Sequence, residues 1–246
     1  HTARDIRMAE LVPQSSSERA DQELSGGKAQ ARSILLVVLP YLLGDATTRD
    51  TSKKGARSFL AFPYGVLTVA SYIKRFASNL DQVEVLDLNL PSDESADAIL
   101  MRSIENMKPD IVGFSMSYDV SYTWLKSLSK MVKDHDQNIF VVTGGPAITT
   151  AYAEILADCD DIDAACYSEG EVGLKNLIEA ENIEEAASKD PWVTKAKLEG
   201  KRPTSPQYDD LDKIIDVDYS LVDANAYSMK EAFSPFTRFT ESSKQF

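Results

Sequence analysis

Apolar residues along the chain fall into short runs of two kinds, and the two kinds alternate. Ile34 to Leu39 is a continuous apolar run, which predicts a strand buried on both faces. Tyr64 to Phe76 carries Val66, Leu67, Val69, Ala70 and Ile73 at helical spacing. Val83 to Leu88 reads as a second strand, Ala96 to Met107 as a helix with Ile99, Leu100 and Ile104 inward, and Asp110 to Ser115 as a third strand. Tyr122 to His135 follows as a helix burying Leu125, Leu128 and Val132, then Ile139 to Thr143 as a fourth strand. A short helix over Ala151–Ala157, a weak fifth strand over Ala164–Tyr167 and a helix over Val172–Ala180 complete the series. Strands alternating with helices predict an α/β fold: a five-stranded parallel sheet covered on both faces, doubly wound and flavodoxin-like, in the order 2-1-3-4-5. Residues 1–32 read as a polar, flexible or partly helical leader, 33–180 as the domain, and 181–246 as a connector opening on an acidic stretch.

Composition narrows the picture. The 246 residues are 43% apolar, which suits a folded core. Acidic residues outnumber basic ones by 39 to 26, so the net charge of −13 argues against nucleic acid and anionic membranes as partners. The longest apolar run, Ile34–Leu43, is broken by Pro40 and is too short to span a bilayer. The chain does not begin with Met and shows no signal peptide at its start; with only Cys159 and Cys166 as thiols, a reducing cytoplasm is the expected compartment. The two histidines, His1 and His135, offer no metal-ligand cluster and no nucleophile–base pair.

In sheets of this kind ligands bind at the carboxyl ends of the strands, so the chemistry is sought in the loops that follow them. The loop from Pro40 to Pro63 is long enough to be either a lid or a polar insertion, and its aromatic end, Phe62-Pro63-Tyr64, favours an apolar contact. Ser115, Met116, Ser117 and Tyr118 follow the third strand; the serine hydroxyls can bond a phosphate or a ring nitrogen, or cap the next helix. Gly144-Gly145-Pro146 follows the fourth strand, either clearing room for a ligand or making a tight turn into a helix. Glu169-Gly170-Glu171 follows the fifth, its acids suited to a helix start or to a ligand's hydroxyls and amides. Dinucleotide and P-loop fingerprints are absent.

Taken in order, these segments resemble the N-terminal cobalamin (B12)-binding domain of B12-dependent radical SAM enzymes. The resemblance is carried by Phe62 to Leu67, Val83 to Asp87, Lys108 to Ser115, Val141 to Pro146 and Ser168 to Glu171, and more weakly by Tyr208 to Asp212 and Asp218 to Leu221. It implies a corrin ring on the carboxyl edge of the sheet, with its dimethylbenzimidazole tail entering between Ser115, Ser117 and the pair Gly144, Gly145. A bulky residue at Gly145 is then expected to obstruct the tail while leaving the sheet mostly intact. It also implies methyl transfer from S-adenosylmethionine through methylcobalamin to an unnamed acceptor. Where this chain departs from the pattern, Ser168 replaces a glycine, and no His follows the first strand to ligate cobalt, which implies base-off, His-off cobalamin.

Radical SAM chemistry needs three closely spaced cysteines for a [4Fe–4S] cluster, and the chain has two cysteines in all. The cluster and S-adenosylmethionine are therefore expected in a downstream radical SAM barrel, in the same polypeptide or a partner chain, and this chain alone is expected to be inactive. The competing expectations are a flavodoxin-like interaction or regulatory domain that binds no corrinoid, and a nucleotide or flavin binder of the same fold.

Overall fold

In a computed structural model of the protein, the structure describes residues 31–41, 60–200, 202–204, 216–229 and 243–244. The polar leader up to residue 30, most of the loop after the first strand and the segment Tyr208–Asp212 lie outside the described residues.

Strand β1 (Arg32–Val38) is central, with β2 (Leu80–Asp87) on one side and β3 (Ile111–Ser115), β4 (Phe140–Gly144) and β5 (Ala164–Cys166) on the other. All four pairings are parallel, in the expected order 2-1-3-4-5. A two-residue strand, β6 (Trp192–Val193), adds antiparallel to β5, so the sheet has six strands and is mostly parallel, one strand beyond the expected five. Two residues are too few to show a strand's alternation, which is why β6 is invisible in a polar, proline-bearing stretch.

Successive strand residues face opposite sides, and each side has its own core. Leu35, Val37, Val112, Phe114, Val141 and Ala165 meet helices α2 (Ala96–Met107), α3 (Tyr122–His135) and α4 (Pro146–Asp158). Ile34, Leu36, Ile111, Val142, Ala164 and Cys166 meet α1 (Tyr64–Phe76) and α5 (Glu171–Glu179). Full burial of each Leu, Ile or Val contributes about 1.5–3 kcal/mol, so the two cores dominate the fold's stability. α4 starts at Pro146, five residues before the expected helix, because non-helical angles at Ala151 kink it and interrupt its periodicity. A short helix, α6 (Ile183–Ala187), buries Ala187 against the α1–α5 side, and Asn182 caps it by accepting from the Glu185 N–H.

The amino edge of the sheet is pinned by polar bonds that are mostly half-buried. Asp110 accepts from the Ser33 N–H at 2.7 Å, and Asp163 accepts from the Val141 N–H at 2.6 Å. Lys133, nearly buried, pairs with Asp163 at 2.6 Å and donates to the Ile139 carbonyl at 2.7 Å. Arg32 donates to the carbonyls of Leu177, Ile178 and Ala180, closing the C-terminus of α5. At the carboxyl edge comparable bonds, from Asn89 to Asp87 and to the Leu39 carbonyl, tie together the ends of β1 and β2.

Candidate functional site

A cavity of about 730 Å³ opens at the carboxyl edge, between the sheet and helices α1 and α5. It spans the point where the chain reverses direction around β1, between β1 and β3, which is where such sheets bind ligands. The strand registers explain why there is space. Leu36, Gly113 and Val142 form one cross-strand row; Val38, Ser115 and Gly144 form the next. The Leu36 side chain covers Gly113, whereas Gly144 and Ser115 in the second row carry little or no side chain and leave room below α1 and α5. Cys166, Leu174 and Trp192 complete an apolar floor, with the Trp192 ring held by a 3.0 Å bond from its Nε1 to the Gly173 carbonyl.

Twelve of the thirteen residues singled out in the loops line this cavity. Phe62, Pro63 and Tyr64 form the wall at the start of α1; Ser115, Ser117 and Tyr118 stand at the end of β3. Gly144, Gly145 and Pro146 form the β4–α4 turn, and Glu169, Gly170 and Glu171 the entry to α5. Met116 is the exception: alternation turns its side chain away from Ser115 and into the opposite core, where it is 3% exposed. Met116 shapes the site through its backbone, because its N–H donates to the Gly144 carbonyl at 2.9 Å and its carbonyl accepts from Ala147.

The two glycines have different reasons to be glycine. Gly145 has φ +112° and ψ 172°, and a Cβ there would stand 2.7 Å from the Met116 carbonyl oxygen. Its backbone demands glycine whether or not a ligand binds, so a bulky side chain at Gly145 cannot leave the protein intact as expected from the sequence. Gly144 has no such constraint; its Cβ would meet only the Cys166 Cβ, at an ordinary 3.5 Å, with the cavity beyond. The absence of a side chain at Gly144 keeps space open that the protein itself does not fill. Ser168, which stands where the pattern that the sequence resembles has glycine, adopts φ +67°, a backbone geometry that favours glycine.

Polar groups at the mouth remain available. The Ser115 and Ser117 hydroxyls have no hydrogen-bond partner among the described residues. Partial desolvation, and then the charge of Glu171, raise the Glu169 carboxyl above the ordinary glutamate range. Burial pushes the Cys166 thiol up to about 12, so it stays protonated at neutral pH. Replacing Glu171 by Gln removes the nearby negative charge, so the Glu169 midpoint is expected to fall toward its ordinary value in a carbon-13 NMR pH titration. An unmoved midpoint would leave desolvation as the sole cause.

Sequence reasoning missed Tyr41, which lines the wall, and Trp192, which lines the floor. A lone tryptophan beside Pro191 in an otherwise polar stretch is the one signal that could have marked the latter. Among the described residues no group of three or more His, Cys, Asp or Glu side chains could hold a metal ion, and no helix is long and apolar enough to cross a membrane.

The fold and the cavity define a doubly wound α/β ligand-binding domain that uses the carboxyl edge of its sheet. Residues 57–178 match the B12 binding domain family, and the chain belongs to that family through this segment. Over 118 residues it is 27% identical to an uncharacterized methyltransferase of Pyrococcus horikoshii, covering 48% of this chain and 24% of that protein. Over 121 residues it is 29% identical to the cobalamin-dependent radical SAM methyltransferase TokK of Streptomyces tokunonensis, covering 49% and 17%. Over 156 residues it is 26% identical to the hopanoid C-3 methylase of Methylococcus capsulatus, covering 61% and 28%. The matched stretch is thus well under a third of each relative's length.

Proposed function

We propose that this chain is the cobalamin-binding module of a B12-dependent radical SAM methyltransferase, and that it holds the cofactor base-off with no histidine on cobalt. The observation that carries the reading is the cavity, whose floor is apolar and where Gly144 leaves space that no side chain fills. A flat, largely apolar ring with polar substituents fits such a crevice. The Ser115 and Ser117 hydroxyls, unpartnered among the described residues, are free to bond its nitrogen or phosphate oxygens. The family match and the methyltransferase relatives point the same way.

In this reading Phe62, Pro63, Tyr64 and Tyr118 would hold the corrin, Ser115, Ser117, Gly144, Gly145 and Pro146 would leave room for the nucleotide tail, and Glu169, Gly170 and Glu171 would bond amide groups of the ring. Among the described residues the one imidazole, His135, is exposed at the far end of α3, at the amino edge of the sheet. That placement keeps the imidazole of the described residues away from the cavity, in line with a cobalt that carries no histidine. When bound, cobalamin supplies alkyl transfer at cobalt; the chain's residues bind and orient it and limit water around it. With two cysteines in the whole sequence, the iron–sulfur cluster and S-adenosylmethionine belong on a radical SAM barrel in the same polypeptide or a partner chain.

The test is retention of hydroxocobalamin by the purified chain on a sizing column, followed by absorbance of the red fraction. Co-elution with a base-off spectrum is expected. A colourless protein under both oxidising and reducing conditions overturns corrinoid binding, and a base-on spectrum overturns the base-off assignment. Yellow protein as purified would instead favour a flavin in the same cavity.

A further inference from the structure

The cavity wall is held from an unexpected quarter, a segment more than 130 residues downstream in sequence. Residues 216–227 return across α1. Asp218 pairs with Lys74 at 2.6 Å, and its N–H donates to the Ser71 hydroxyl at 2.8 Å. The Tyr219 hydroxyl shares a 2.9 Å hydrogen bond with Tyr64, and Tyr227, 1% exposed, packs edge-on against Phe62 with ring centroids 5.0 Å apart.

Tyr227 also closes a polar circuit. Its hydroxyl donates to Asp87 at 2.9 Å, at the buried end of β2. Asp87 accepts from both the backbone and the side-chain N–H of Asn89, at 2.8 and 2.9 Å. Asn89 donates to the Leu39 carbonyl at 3.0 Å and accepts from the Tyr41 N–H at 3.0 Å. The Tyr41 hydroxyl accepts from the Ala61 N–H at 2.7 Å, and Ala61 precedes Phe62, where the circuit began. The Tyr41 ring meets Tyr118 across the mouth, centroids 5.2 Å apart. Burial keeps Tyr41 protonated, with its midpoint pushed up to about 12; burial and the Asp87 charge hold Tyr227 further above the ordinary tyrosine range. Both tyrosine hydroxyls therefore stay protonated through the physiological range.

We infer that Tyr227 is a positioning residue for the cavity: through Asp87, Asn89 and Tyr41 it fixes the backbone at Ala61 and with it the wall formed by Phe62. The function of the site thus extends to the segment that follows the sheet. Only the effect on cofactor rests on the corrinoid reading; the effect on the wall does not.

Tyr227→Phe keeps the ring and removes the bond to Asp87. In the full chain without cofactor, hydrogen exchange at the Ala61 amide is expected to quicken by about tenfold, the size of one lost buried hydrogen bond, while the central amides of Val112 and Val141 keep their rates. Tyr41→Phe, which removes the acceptor of that amide directly, is expected to quicken Ala61 in the same selective way. Loaded with hydroxocobalamin, Tyr227→Phe is expected to release it about tenfold faster, with the spectrum of the bound form unchanged. Unaltered exchange at Ala61 in Tyr227→Phe, or an equal rise at all three amides, overturns the inference, as does unaltered release from a variant whose wall has loosened. If the unsubstituted chain retains no corrinoid while the selective exchange effect is present, the corrinoid reading fails and the positioning of the wall stands.

Discussion

Gly145→Ala is expected to lower the unfolding free energy by about 3 kcal/mol or more, enough to shift a urea midpoint by a molar unit or more at ordinary slopes for a small domain. Two independent costs combine. At φ +112° and ψ 172° the backbone occupies a region that is nearly closed to residues with a Cβ. The added atom would also stand 2.7 Å from the Met116 carbonyl oxygen and 3.1 Å from its carbon. Both contacts are backbone, so no side chain can swing aside. The carbonyl cannot move freely either, because it accepts from the Ala147 N–H at the start of α4, while the Met116 N–H is bonded to Gly144. Relief must come from separating β3 from the β4–α4 turn, which opens the cavity and the core beneath it together. A midpoint within a few tenths of a molar unit of the unsubstituted protein would show that the turn relaxes, and that Gly145 is free to be read as a ligand-clearance position after all.

That contrast shows where the sequence is legible and where it is not. β1, β3 and β4 are readable because central parallel strands are buried on both faces and appear as unbroken apolar runs, as in Ile34 to Leu39. The site loops are readable because strand-end positions in this fold converge, so Ser115, Gly144 and Glu169 could be grouped without coordinates. Backbone dihedral angles leave little trace in composition: Gly144 and Gly145 are adjacent and chemically identical, yet the turn requires glycine at Gly145 while a Cβ at Gly144 would make only an ordinary contact. Met116 sits between two lining serines in sequence, yet strand alternation turns it to the opposite face. The contributions of Trp192, Tyr219 and Tyr227 depend on contacts across large sequence separations. No local periodicity encodes these, and the aromatic residues there look like scattered positions in a polar stretch.

Gly144→Leu is expected to weaken hydroxocobalamin binding by at least about a hundredfold while leaving the fold intact, which makes it the sharper probe of the proposed function. Gly144 faces the same side of the sheet as Gly113, Val142 and Cys166, and only the Cys166 Cβ stands within 4 Å of where its Cβ would lie. Beyond that contact is the cavity, so the isobutyl group projects into space that the protein does not use. On the proposed reading the nucleotide tail occupies that space, and the leucine and the tail cannot both be accommodated without displacing α1 or α5. Gly144→Ala separates bulk from backbone effects: one methyl at 3.5 Å is ordinary packing, so its stability should lie within about 1 kcal/mol of the parent, with binding reduced less than in the leucine variant. Thermal unfolding of both variants, alongside equilibrium titration with hydroxocobalamin, resolves the two effects. A leucine variant that is stable and binds with parental affinity places the tail elsewhere. If it is stable and colourless while the alanine variant binds, the open space beside β4 is identified as the part of the site that the tail requires.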